Sequence, residues 1–585
     1  MTDSHPSSNA VVRQELQRPV LNVAELPLQM LYRRESEWAE RAYLHQPLPA
    51  GARTWTWQAA VEEVRRIAAY LKAQSWPPGS HILLLSKNCA WWLLADYAIW
   101  MAGHVSVPIY AAIRESSLAA ILDHCQPVAC LLGPTDQAFA CVAERARSAP
   151  MPVIEFPNLP KAESVPGALA WDAIATQQPP LTGEPVRSWN EVATIIYTSG
   201  TTGAPKGVMQ TFQAIALMAQ SVLPALPPEM PDGARILSYL PLAHIAERAI
   251  VEATSLYTWL QIFFVENQQS FLRDLKAARP TIFFTIPRLL TRFQQGVHEK
   301  LSPAVLRTLL RLPVLGRIVG RHILVGLGLD TVKLAASGAA PLSVDLQRWY
   351  LALGLPLIEG YGMTETGITH ATLPGRLRIG YVGESSRYCE TRIAADGEIQ
   401  IRGPMNFLGY FRNEAATQQS FTADGYFRTG DRGVLDEAGR LRIIGRLKEE
   451  FKTAKGKYVY PAQIESMLSA SGLYEAVCVL GSGMAGPFVL AVLPPEKLAA
   501  SRSVEQRKQL EQTLVRDLER VNTQLSGYEK LRFLAISAQP WTTANGFLTP
   551  TLKVRRAAVE LHYGAHFAEW EQRHQQILWL EDADA

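Results

Sequence analysis

Apolar positions recur at helix and strand spacing, in alternation, through the first 440 residues of the chain. Residues 57–73 carry apolar side chains every three or four positions, the period of a helix with one buried face. Residues 81–86 form a short apolar run of strand length, 90–102 read as a helix, and 105–110 as a core strand. A helix follows at 116–124 and a strand at 128–132. This βαβα rhythm predicts an α/β fold of layered, largely parallel sheets. Residues 157–185, rich in Pro and Gly, read as a surface connection into a strand at 192–197.

The apolar stretch 89–110 approaches the length of a membrane span. Asp96 lies inside it and Gly103 and His104 interrupt it. A charge at bilayer depth costs about 3 kcal/mol, so a buried helix, a glycine turn and a core strand fit better.

Past Glu398 the pattern changes to short strands at 398–402, 426–427 and 440–444, separated by turns at Asp424-Gly425 and Glu437-Ala438-Gly439. A small β-rich subdomain is expected over about 398–446. A mixed α+β tail with a long polar helix over 503–525 follows. The expected division is an N-terminal domain over 1–446 and a smaller C-terminal domain over 447–585, too long together for one domain.

Composition narrows the class. Of 585 residues, 48% are apolar and 19% charged, with a net charge of +3, which gives no reason to invoke nucleic acid. The six cysteines form no CxxC pair, as in a cytoplasmic protein with reduced thiols, and residues 1–17 lack the apolar core of a secretory signal.

The candidate chemistry begins at Thr194-Ile-Ile-Tyr-Thr-Ser-Gly-Thr-Thr-Gly-Ala-Pro-Lys-Gly-Val208. An apolar strand runs into a loop containing Thr198, Ser199, Gly200, Thr201, Thr202, Gly203 and Lys206. Glycines let backbone N–H groups approach oxyanions, hydroxyls donate hydrogen bonds, and the lysine supplies a cation for phosphate. It is not a Walker loop, because Lys206 precedes its glycine.

The string resembles the signature loop of the AMP-forming acyl-CoA synthetases, within the superfamily of adenylating enzymes. Further segments, in the same order, extend the resemblance from about Thr54 to Arg556. Leu240-Pro-Leu-Ala-His244 has the form found in long-chain fatty acid enzymes, which implies that His244 lines the acyl pocket near the carboxylate. Gly338, Ala339, Ala340 and Pro341 correspond to the adenine pocket, although alone they read as an ordinary strand–turn–helix junction. In Glu359-Gly360-Tyr361-Gly362-Met363-Thr364-Glu365 the resemblance implies that Tyr361 stacks on adenine, Thr364 contacts the α-phosphate, and Glu365 binds Mg²⁺ with Thr198. Asp431, with Ile443 and Arg446, is implied at the ribose; alone, Asp431 would read as a turn cap. Lys448 corresponds to the pivot of a mobile C-terminal domain whose Gly456 loop enters the site during thioester formation, and Lys553 to the adenylation lysine.

The implied substrates are ATP, a fatty acid and coenzyme A. A carrier-protein phosphopantetheine is an alternative acceptor, and a silent nucleotide- or lipid-binding homologue the alternative outside enzymes. Residues 262–264 and 283–290 are candidates for an acyl tunnel or for ordinary core. Arg307, Arg311, Arg317 and Arg321 punctuate an apolar stretch, which reads either as a solvated helical face or as peripheral contact with an inner membrane face. Residues 383–390 depart from the proline- and glycine-containing turn usual in the family.

Overall fold

The computed structural model describes residues 19–49, 51–136, 139–148, 151–199, 205–549 and 552–580. Two large sheets carry the first two thirds of the chain. The eight-stranded sheet is parallel through Val192–Ser199, Val105–Ile109, His81–Leu85, Ala129–Leu132, Val153–Glu155 and Leu169–Ala170. Its other edge turns antiparallel at Pro205–Thr211 and Gly409–Tyr410. The nine-stranded sheet is parallel from Ala42–Leu48 through Leu260–Phe264, Ala234–Ser238, Ile282–Thr285 and Leu334–Ser337 to Leu357–Met363. Its edges are antiparallel.

Helices Trp57–Ala73 and Ala90–Met101 join the sheets. One core contains Ile82, Leu84 and Leu131 of the first sheet, Ile236 and Ile262 of the second, and the apolar faces of both helices. Every residue of Ala90–Met101 is buried, as expected for a helix that is apolar all round. Asp96, fully buried, pairs with Arg248. Arg248 also holds Glu252 at 2.9 Å and donates to the Thr194 hydroxyl at 2.6 Å. The charge that argues against a bilayer is thus neutralised inside a protein core, and no helix among the described residues is long and apolar enough to cross a membrane.

Two differences from the sequence reading have local causes. The 157–185 connection contains a helix, Trp171–Gln177, whose Trp171 is buried and donates to Glu63 at 2.7 Å. One large aromatic anchors a segment that composition marks as loop. The antiparallel sheet of Glu390–Ile393, Glu398–Arg402, Phe427–Leu435 and Leu441–Arg446 starts before the expected edge at 398. Its third strand far exceeds the expected dipeptide, because the alternation of buried Phe427, Thr429, Asp431 and Gly433 is not an apolar one.

After Arg446 come the hairpin Phe451–Lys452 and Tyr458–Val459, then a sheet of Ala476–Leu480, Phe488–Val492, Leu534–Ile536 and Ile577–Trp579 with helices including Val504–Asn522. This α+β body has its own cores. It touches the preceding part through Glu475, which pairs with Arg288 and, at 3.3 Å, with Arg292. Gln295 also donates to the Gly472 carbonyl.

Candidate active site

The strand Val192–Ser199 returns as Pro205–Thr211, which sets Thr198 directly opposite Lys206. Gly200, Thr201, Thr202 and Gly203 lie outside the described residues, as does the side chain of Ser199. The Lys206 ammonium stands 4.9 Å from the Tyr410 ring centroid, and the Tyr410 hydroxyl donates to Glu365 at 2.9 Å. One aromatic side chain therefore links the loop lysine to a carboxylate far away in sequence. Four residues beyond Lys206, buried Gln210 donates to the Thr364 carbonyl at 2.5 Å.

Thr364 and Glu365 stand at the tip of the hairpin formed by Leu357–Met363 and Gly367–Ala371. At Gly362 a Cβ would lie 2.2 Å from the Gly367 carbonyl oxygen, so only glycine permits this close return. Behind the hairpin, Ser337 pairs with Glu359, and the Glu359 carboxylate accepts from the Leu342 N–H at 3.1 Å. Between them Ala339 holds a left-handed φ of 66°, the kind of local strain found where backbone is shaped for a ligand. Gly338 packs beneath: a Cβ there would lie 3.5 Å from the Gly360 oxygen.

The third element is the strand pair that places Asp431 opposite Arg446. Tyr361 donates to Asp431 at 2.6 Å, and Arg446 pairs with its other oxygen at 2.9 Å. Lys553 comes from the C-terminal body on a loop whose Leu552 has φ 60° and whose Thr549 hydroxyl accepts from the Lys553 N–H at 3.1 Å.

These elements face one cleft of about 2170 Å³. Its walls include Thr198, Lys206, His244, Ala339, Ala340 and Pro341; the stretch from Glu359 to Glu365, with Gly360 and Met363, continues them. Asp431, Ile443, Arg446, Lys448 and Lys553 complete the far side. The hairpin bearing Gly456 does not contribute to the wall among the described residues, whereas Lys553 does.

The charges respond to this enclosure. Burial raises the Glu365 carboxyl above its ordinary value against the Tyr410 hydrogen bond, and raises Asp431 against the pull of Arg446. Solvent still reaches Lys553, but the surrounding walls lower its ammonium and neighbouring Arg446 lowers it further. Burial, with Lys553 nearby, takes His244 down to about 4, so it is neutral at pH 7. Its Nδ1 accepts from the Ala246 N–H at 3.1 Å, capping the short helix Ile245–Glu247. Opposite charges held in one shared cleft mark a site made for a charged ligand.

The AMP-binding enzyme family model matches residues 32–411. A long-chain-fatty-acid–CoA ligase, FadD15, of Mycobacterium bovis is 32% identical over 549 residues, covering 86% of this chain and 89% of that protein. The peroxisomal long chain acyl-CoA synthetase 6 of Arabidopsis thaliana is 30% identical over 547 residues, covering 83% and 77%.

The chain belongs to the AMP-binding enzyme family.

The fold agrees: the adenylation domain of a carboxylate reductase from Mycobacterium chelonae superimposes with a TM-score of 0.80 at 21% identity, over 96% of this chain and 93% of that one. In this AMP-binding enzyme, Gln210 and Tyr410 are site-shaping residues that sequence reading did not select. Gln210 and Tyr410 act through strand register and carry no motif of their own. Arg248, four residues past His244, is buried between Asp96 and Glu252 behind the cleft wall. Of the residues suggested for an acyl tunnel or core, Ile262 and Phe264 belong to the first core, Phe283 and Leu290 to another, and Phe263 stacks on His45 with centroids 4.0 Å apart, while Pro287 and Arg288 line the cleft. The departing 383–390 loop is fastened to helix Phe212–Val222 by Tyr388, which donates to Gln220 at 2.6 Å, and by a 2.8 Å Ser221–Ser386 hydroxyl contact.

All six cysteines are free thiols, and no cluster of three or more His, Cys, Asp or Glu residues exists among the described residues. A nucleotide-borne Mg²⁺ keeps most of its coordination from phosphates and water, so the hard oxygens of Glu365 and Thr198 fit such an ion.

Proposed function

We propose that this enzyme joins a long-chain fatty acid to coenzyme A at the expense of ATP, through an acyl-adenylate. The observation that carries the reading is the convergence of Thr198–Lys206, Tyr361–Glu365, Asp431–Arg446 and Lys553 on one cleft.

Asp431 and Arg446 hold the ribose, with Tyr361 against the adenine and Thr364 donating to the α-phosphate. The fatty carboxylate attacks the α-phosphorus, and the bond to pyrophosphate breaks. Lys206 and Lys553 neutralise the negative charge that accumulates, positioning being most of what the protein contributes. Mg²⁺, held by Glu365 and Thr198, supplies further charge neutralisation when bound. The thiolate of coenzyme A then attacks the acyl carbon, its thiol proton passing to solvent, and the bond to AMP breaks. Between the two steps the C-terminal domain, from about 447, turns about Lys448, withdraws Lys553 and brings the Gly456 loop inward.

The long-chain-fatty-acid–CoA ligase and long chain acyl-CoA synthetase relatives support the choice of a fatty acid, and an apolar cluster lies behind His244. Ala214, Leu217 and Met218 of one helix meet Ile245 and Ala249 following His244, with Met405 closing the group. Methionine side chains repack readily around an inserted chain. ATP–pyrophosphate exchange across a panel of acids tests the reading, and exchange with no fatty acid would defeat it. Offering pre-formed acyl-AMP to coenzyme A and to a phosphopantetheine carrier protein then decides the acceptor; transfer to the carrier alone would replace coenzyme A.

A further inference from the structure

Helices Pro303–Leu310 and Pro313–Leu327 form a hairpin on the outer side of helix Val344–Leu353. At Gly320 a Cβ would lie 2.5 Å from the Leu353 carbonyl oxygen, so the two helices meet backbone to backbone. Gly316, Gly320 and Leu324, four residues apart, form the inward face of the longer helix.

Its outward face is apolar too. Val314 is 72% exposed, Ile318 61% and Val325 49%, and on a 3.6-residue helix the three fall within about 40° of one another. Leu312 and Leu315 extend the strip at its start and Val305 adds to it from the shorter helix, all exposed. A surface helix ordinarily turns polar side chains outward; one that is apolar on both faces suits two non-aqueous contacts, of which the protein core supplies only the inner.

Cations frame the strip. Arg307, Arg311, Arg317 and Arg321 are exposed and make no side-chain ion pair among the described residues. Residues 301–329 contain no Asp or Glu. The following helix contributes Val344, Asp345 and Arg348 to the cleft wall, so the strip lies one helix behind the site.

We propose that this hairpin docks the enzyme on an anionic lipid bilayer, the aliphatic strip entering the interface and the four arginines meeting lipid phosphates. The contact is interfacial, in keeping with the length of these helices. Delivery of a membrane-borne acid to the cleft rests on the fatty-acid reading; the docking itself does not.

The test is flotation of the full chain with vesicles of phosphatidylcholine alone or mixed with phosphatidylglycerol. The expected result is flotation with the mixed vesicles only, weakened by added salt. Arg317→Glu with Arg321→Glu, and separately Val314→Asp with Ile318→Asp, each lower the vesicle partition coefficient at least about tenfold. Circular dichroism and ATP–pyrophosphate exchange with a dissolved acid stay unchanged. Absence of flotation on mixed vesicles, or variants that float as wild type does, would overturn the proposal. A dimer that Ile318→Asp dissociates, seen by sedimentation without vesicle binding, would assign the face to a second copy instead. Failed exchange with every acid defeats the enzymatic reading and leaves the flotation result standing.

Discussion

The Tyr361 hydroxyl donates a 2.6 Å hydrogen bond to Asp431, joining the Thr364–Glu365 hairpin to the small antiparallel sheet. With Arg446 on its other oxygen, the carboxylate is oriented before any nucleotide enters. Tyr361→Phe removes that bond alone, worth about 1 to 2 kcal/mol to a charged acceptor, and is expected to raise the KM for ATP about tenfold with little change in kcat. Asp431→Ala removes the acceptor itself and should cost about a hundredfold or more in kcat/KM for ATP. Pyrophosphate-exchange kinetics on both variants checks this, and an unchanged KM in either would remove Asp431 from the nucleotide.

Lys553 reaches the cleft from the C-terminal body, whereas the Gly456 hairpin does not line it. A cation about 4 Å from developing charge contributes about 4 kcal/mol at an effective dielectric of 20. Lys553→Ala is therefore expected to slow adenylation about a thousandfold while leaving thioester formation from supplied acyl-AMP within a few-fold. Measuring the half-reactions separately decides, since equal loss of both contradicts two working orientations of the domain.

Much of this organisation is legible in the sequence where it rests on contiguous pattern. Trp57–Ala73 is readable because Trp57, Ala60, Val61, Val64, Ile67, Ala68 and Leu71 are buried at helical spacing. Lys206 and Glu365 are readable because each sits in a short string whose chemistry is local. Tyr410 is not, because its place beside both comes from a two-residue strand pairing with Val208 and Met209. Gln210 likewise gains its role from a contact with Thr364, 154 residues away. The acyl route is hidden for a different reason: an apolar path and an apolar core have the same composition.

Glu475 is held by Arg288 and Arg292 across the junction of the two bodies, and all three side chains retain solvent access. Such pairs contribute at most about 1 kcal/mol each and weaken with salt. Glu475→Gln should favour departure of the C-terminal body from this orientation, slowing adenylation about two- to fivefold and leaving the thioester step equal or faster. Single-turnover rates at low and high salt check it: the difference between variant and wild type should shrink as salt rises. A variant slowed equally in both steps would mean that the contact does not select an orientation.

Glu359 gives the protein a pH dependence with a defined sign. Burial raises its carboxyl from 4.5 to about 7, against the Leu342 N–H that its carboxylate accepts. A folded-state value above the unfolded one means that folding favours the protonated form. That contribution is complete below about 4.5 and is lost as pH rises through about 7, its ceiling being about 3 kcal/mol. His244, lowered to about 4, and His370, lowered to about 3, act on the other side: their neutral forms stabilise above 6.5 and that stabilisation fades as pH falls. Glu359→Gln keeps an oxygen for Leu342 and removes the ionisation. Thermal midpoints across pH 5 to 8 are expected to fall in the wild type relative to the variant by a few degrees, with the acid limb unchanged in both. Parallel profiles over that range would show that Glu359 ionises as freely folded as unfolded, and the carboxyl beside the Ala339 turn would then be charged throughout.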